Sequence, residues 1–180
     1  MANKKIIIAL GNPGKEYENT YHNAGTLLMN YELKEKYEAI EFKKYRNLFE
    51  YVEIDGTAYI KPLTFMNDSG KAVLAAIKKF RTSSLVARSS IPDLVVYHDD
   101  SDITIGAFKI SVARNSAGHK GVQSIIDTLT TNNFTRVRIG IRPTNETKRK
   151  KASEFALKTI SPSDRKILDR VFAKIIKEDA

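Results

Sequence analysis

Three histidines supply all the imidazole in this chain: His22, His98 and His119. Each stands at a junction between a loop and a regular element, outside the apolar periodic runs. An imidazole with a pKa near ~6.5 takes a proton from water at neutral pH. It does so when one ring nitrogen faces the water and a carboxylate holds the other. Asp99 is a carboxylate suited to His22, because it follows the apolar run 94–97, which reads as a central strand. If that strand lies beside the first strand, its end and His22 face one crevice. The nucleophile there would be water, since the chain has no cysteine and no G-x-S-x-G elbow. Asn12 and Asn67 are amides at the ends of rigid elements, suited to hold a carbonyl or the oxyanion developing on it. Turn geometry for Asn12 and helix capping for Asn67 are compatible second readings. His98, Asp99, Asp100 and Asp102 are permissible metal ligands. Their spacing matches no recognisable ligand set, and the run reads equally well as a solvated loop.

These groups need elements to position them. Residues 5–10 form a short, β-branched apolar run, which predicts a buried strand. Gly11-Asn12-Pro13-Gly14 then predicts a tight turn at the strand's C-terminal edge. Asn19 or Thr20 can cap a helix whose first turn carries His22, with an apolar stripe at Ala24, Leu27, Leu28 and Tyr31. Strand, turn and helix start place Asn12, Tyr17, His22 and Asn23 around one point. In open α/β sheets ligands bind at such points, outside the carboxyl ends of strands.

Further along, residues 42–45, 48–54 and 57–61 read as strands, with Asp55-Gly56 as a hairpin turn. A loop over 63–70 enters a helix with its stripe at Val73, Ala76, Ile77 and Phe80. Residues 82–92 read as a surface connection. Phe108, Ile110 and Val112 alternate as a half-buried strand would. A loop over 113–121 precedes a helix with Val122, Ile125, Ile126 and Leu129 on one face, and 136–141 reads as another strand. Ser161-Pro162 starts a last helix with Leu168, Val171, Phe172 and Ile175 inward. One domain spanning residues 1–180 is expected. Its fold class is α/β, a mixed twisted sheet with helices on both faces in three αβα layers.

Composition bounds the partners. The 180 residues are 42% hydrophobic and 28% charged, ordinary for a globular domain. The lack of cysteine excludes disulfides, thiolate nucleophiles and cysteine-based zinc sites. Apolar runs are too short to span a bilayer and the N-terminus makes a poor signal peptide, so a cytoplasmic protein without membrane contact is expected. Thirty basic residues against 21 acidic ones give a formal charge of +9, which favours a polyanionic partner. The run Lys148-Arg149-Lys150-Lys151 reads as a solvated face that could touch nucleic acid.

Five blocks, in order over residues 5–141, resemble the bacterial-type peptidyl-tRNA hydrolase family. Leu10 to Gly25 resembles L-G-N-P-G…Y…T-x-H-N-x-G. Residues 61–70 resemble K-P-x-T-[FY]-M-N-x-S-G, and 98–106 resemble H-D-[DE]-x-D-x-x-x-G. Gly118-His119-Lys120-Gly121 is similar to G-H-N-G, and 134–141 to F-x-R-[VIL]-[RK]-[IV]-G-I. Residues beyond 141 match in general character.

The resemblance implies hydrolysis of the ester joining a peptide to the terminal ribose of tRNA, which recycles the tRNA. In that reading His22 is the general base and Asp99 orients it. Asn12 and Asn67 bind the carbonyl and the tRNA 3′ end, Met66 lines the cleft, and Tyr17 and Asn23 support it. His119 and Lys120 join the substrate-binding set, and Lys109 and Arg138 lie near phosphates. No metal or other cofactor is implied, and nothing in the sequence demands more than a monomer. The chain departs from the pattern at Tyr21, where the family usually has Arg, and at Lys120, where it has Asn. Residues 115–117 also replace its Gly-rich approach to His119. A lysine has only donors. Close to His22, it would lower the pKa of that imidazole by like-charge repulsion. A non-catalytic tRNA-binding protein on the same fold is the alternative reading.

Overall fold

The computed structural model describes residues 4–80, 93–144 and 155–178. The connection 82–92 and the basic run 148–151 lie outside them. Strand β1 (Lys5–Ala9) lies inside the sheet and runs parallel to a strand on either side, β4 (Thr57–Pro62) and β5 (Leu94–Thr104). Its isoleucines are buried on both faces, as an all-apolar strand in a parallel sheet must be. Strands β2 (Lys43–Tyr45) and β3 (Phe49–Ile54) extend the sheet antiparallel beyond β4. On the other side β7 (Thr135–Arg142) runs parallel to β5, and β6 (Phe108–Val112) closes the edge antiparallel to β7. The order is β2-β3-β4-β1-β5-β7-β6.

Alternation of side chains splits the core in two. Ile7, Ala9, Tyr97 and Ile139 pack with helices α1 (Ala24–Lys36) and α4 (Pro162–Glu178) on one face. Ile6, Ile8, Val96 and Phe134 pack with α2 (Ser69–Phe80) and α3 (Lys120–Leu129) on the other. Helices therefore cover both faces of the mixed sheet. β1 leads into α1 over the first face, and the chain after β5 reaches α3 over the second. That divergence opens a crevice at the carboxyl end of β1, beside the middle of β5. Gly25 lets α1 settle at that point, since a Cβ there would overlap the Tyr97 and Leu10 carbonyls.

Three sequence expectations need correction. The turn that carries His22 is a separate 3₁₀ turn (Tyr21–Asn23), and α1 begins after it, at Ala24. Thr20 makes no side-chain cap there; its hydroxyl donates instead to the Tyr17 carbonyl at 2.9 Å. The acidic run after Tyr97 is not a loop: β5 continues through it to Thr104, and His98 lies buried inside the strand. Finally, β6 forms, but Ile110 and Val112 are about half exposed, at 52% and 53%. An edge strand's alternation marks a face without ensuring that a layer covers it.

Candidate active site

The turn after β1 is tied down by its own amides. The Asn12 backbone N–H donates to Asn23 Oδ1 at 2.8 Å, and Asn23 Nδ2 returns a bond to the Asn12 carbonyl at 3.0 Å. Asn12 Oδ1 accepts from the Met66 N–H at 2.8 Å, across to the 3₁₀ turn Met66–Asp68 after β4. With its oxygen so engaged, the Asn12 amide presents its NH₂ as a donor. Asn67 is exposed in the middle of the Met66–Asp68 turn, two residues ahead of α2. Met66 is buried against Gly121, where a Cβ would overlap its sulfur.

His22 is held from behind. Its backbone N–H donates to the Ala156 carbonyl at 2.8 Å. The preceding Tyr21 donates its hydroxyl to Asp164 Oδ2, at the start of α4, at 2.5 Å. The tyrosine thus pins this turn to the last helix.

Asp99 is the hub. His22 Nδ1 and His119 Nε2 each lie 2.8 Å from Asp99 Oδ1, from positions 77 and 20 residues away in sequence. A carboxylate only accepts, so each facing nitrogen carries its proton. His119 caps α3, and its Nδ1 accepts from the Val122 N–H at 3.3 Å. For His22 the same logic leaves the lone pair on Nε2, on a ring that lines a cleft. Burial of Asp99 alone raises its pKa. The two imidazoles outweigh that and hold it well below the usual carboxylate range. Burial likewise pulls the His22 pKa down, but the charge and hydrogen bond of Asp99 lift it above the ordinary imidazole value. Lys120 lowers it, as expected from the sequence, and is the smallest of these influences.

The cleft measures about 830 Å³. Asn12, His22, Met66, Asn67, Asp99, His119 and Lys120 all line it. Tyr17 stands beside it, edge-on to the cleft residue Phe65 with centroids 6.3 Å apart, and Asn23 braces Asn12 from behind. Lys109 and Arg138 are direct partners on β6 and β7, away from this lining. Arg138 opens on a smaller depression of about 400 Å³ with Arg114 and Arg136, while its Nε donates to Asp100 at 2.7 Å.

His22, Asp99 and His119 bring donor atoms within 4.8 Å of one another, a grouping that could suggest a cation. Zinc bonds of about 2.0–2.1 Å set tetrahedral ligands roughly 3.3 Å apart. Contacts of 2.8 Å to one oxygen are hydrogen bonds instead. Asp100 and Asp102 pair with Arg138 and Arg142 across the strands.

Sequence reasoning missed the bond between His119 and Asp99. Its available signal was Gly118, whose φ of +83° turns the chain into the cap. It also missed Arg136, buried within β7, whose Nη2 donates to the Asn115 carbonyl at 3.0 Å and steadies the loop before His119.

A mixed sheet covered on both faces by helices, with polar groups converging on one crevice beside its central strands, has the form of an α/β enzyme. Comparison gives the particular family. The peptidyl-tRNA hydrolase family profile matches residues 6–178. The peptidyl-tRNA hydrolase of Lactobacillus delbrueckii subsp. bulgaricus is 36% identical over 173 residues, covering 95% of this chain and 88% of that relative. That of Mycoplasma capricolum subsp. capricolum is 42% identical over 148 residues, or 80% and 75% of the two chains. The crystal structure of peptidyl-tRNA hydrolase from Acinetobacter baumannii matches with a TM-score of 0.78 at 27% identity, covering 98% of this chain and 87% of that one. The chain belongs to the peptidyl-tRNA hydrolase family, and it is a hydrolase.

Proposed function

We propose that this chain hydrolyses the ester of peptidyl-tRNA with a water activated by His22 and Asp99. The observation that carries the mechanism is the 2.8 Å bond from His22 Nδ1 to Asp99 Oδ1, which leaves Nε2 as the basic atom on the cleft. His22 Nε2 takes a proton from water, and the hydroxide adds to the ester carbonyl carbon. Asp99 stabilises the imidazolium that results. The Asn12 and Asn67 amides donate to the developing oxyanion. The carbon–oxygen bond to the ribose then breaks, and the imidazolium returns its proton to the leaving oxygen. A peptide acid and a free tRNA 3′ end remain.

Tyr17 and Asn23 support the cleft in this reading, and His119 and Lys120 contact the tRNA end. Lys109 and Arg138 serve phosphates, in keeping with the charge of +9. We read the protein as a cytoplasmic monomer. Among the described residues no helix is long and apolar enough to cross a membrane.

The test is cleavage of an N-acetylated aminoacyl-tRNA by wild type and His22→Ala. Loss of the base should lower turnover by about 10²–10⁴-fold with the fold intact. Wild-type turnover in that variant would remove His22 from the mechanism.

A further inference from the structure

His98 is the histidine that this mechanism leaves unused. It is 1% exposed, inside β5, and its side chain projects to the α2/α3 face with Val96, away from the face of Tyr97. Its Nδ1 lies 2.6 Å from the backbone carbonyl of Asp99. A carbonyl only accepts, so Nδ1 carries the proton and Nε2 the lone pair. Nε2 has no hydrogen-bond partner among the described residues. The His98 ring stands edge-on to His119, with centroids 4.8 Å apart and planes 71° apart. His119 in turn faces His22 at 5.0 Å between centroids. The ionisable groups facing His98 are His119 from α3, Asp99 from its own strand and Arg136 from β7. Burial first, then the electrostatic influence of the neighbouring His119 and of Arg136, keep its pKa well below the ordinary value against the pull of Asp99, so the ring stays neutral.

A ring chosen for packing alone would not leave a polar nitrogen unpaired in the interior, where an apolar side chain fits without that cost. Here the ring touches the hub residue Asp99 and its partner His119 through different atoms. We propose that His98 is a positioning residue of the hydrolysis. Its Nδ1–H fixes the Asp99 peptide and its edge fixes the His119 ring, so that Asp99 Oδ1 points at His22. This rests on the His22–Asp99 mechanism above.

The experiment compares variants of the full chain on an N-acetylated aminoacyl-tRNA over the pH range in which histidine titrates. His98→Phe fills the space without a donor. His98→Leu does the same with less bulk, should Phe fail to fold. His98→Asn places an amide N–H where Nδ1 stood. The donor-less variants should lose kcat by on the order of 10–100-fold, the scale seen when the groups that orient metal ligands from behind are removed. Their KM should stay near wild type, and their acid limb should shift to lower pH as Asp99 loosens its hold on His22. His98→Asn should recover most of kcat and restore the limb. Wild-type kcat and pH profile in a folded donor-less variant would overturn the proposal. So would an Asn variant as impaired as Phe or Leu. His22→Ala run alongside separates the two readings: if it is inactive while His98→Phe is fully active, only the role of His98 falls.

Discussion

Replacing Asp99 by Asn keeps the shape of the hub and removes its charge. Oδ1 accepts two imidazole N–H groups at 2.8 Å each. A hydrogen bond to a charged partner contributes about 1.5–3 kcal/mol. Loss of the His22 bond alone then corresponds to roughly 10- to 150-fold in kcat. The amide adds a second effect. If its NH₂ faces His22, Nδ1 must offer a lone pair and the proton moves to Nε2, the atom that has to accept from water. That inversion takes the loss toward about 10⁴-fold, the magnitude known for the same substitution in a serine protease triad. The assay is steady-state hydrolysis of an N-acetylated aminoacyl-tRNA across pH, paired with thermal unfolding. Asp99 raises the His22 pKa, so the acid limb should move to lower pH in the variant.

Stability gives an independent readout. Because the folded His22 pKa is raised, its contribution is present below the unfolded value of about 6.5 and is lost as pH rises through the folded value. Asp99, whose folded pKa is depressed, contributes above the unfolded value of about 3.9, and this is lost as pH falls toward the folded one. The Asn variant should lose both dependences, giving a flatter Tm against pH. Wild-type kcat with an unmoved acid limb would refute the hub as described.

Two further outcomes follow from the same geometry. Lys120→Asn should move the acid limb of kcat/KM to higher pH, because Lys120 depresses the His22 pKa; a pH–rate profile checks this. Gly25→Ala should push α1 off the Tyr97 carbonyl at a cost of about 1–3 kcal/mol, visible as a lower Tm.

Much of this was legible in the sequence because local chemistry decided it. The β-branched run of β1, the Gly-Pro turn after it and the serine cap of α4 each announce their element, and Ser161 Oγ does accept from the Asp164 N–H at 3.1 Å. The approach of His22 to Asp99 was legible on the condition that the strands of residues 5–10 and 94–97 are neighbours, which they are. What stayed hidden depended on partners distant in sequence. Residues 100–102 look like a solvated loop until Arg138 and Arg142 arrive from β7 to pair with Asp100 and Asp102. Ile110 and Val112 look half-buried because alternation is a property of one strand, whereas cover comes from another layer. The bond from His119 to Asp99 depends on where α3 begins, which rests on a left-handed glycine and a buried arginine in another strand.

The two imidazoles that converge on Asp99 come from opposite sides of the sheet. His22 leads into α1 on one side, and His119 opens α3 on the other. Asp99, inside β5, therefore works as a clasp between the two layers. On the mechanism proposed, one side brings the base and the other the contact to the tRNA end, so the site is complete when both have docked. A copy of this chain still being made is itself a peptide esterified to tRNA, and until residues through α3 have folded into place its own site lacks the side that would grip a tRNA end.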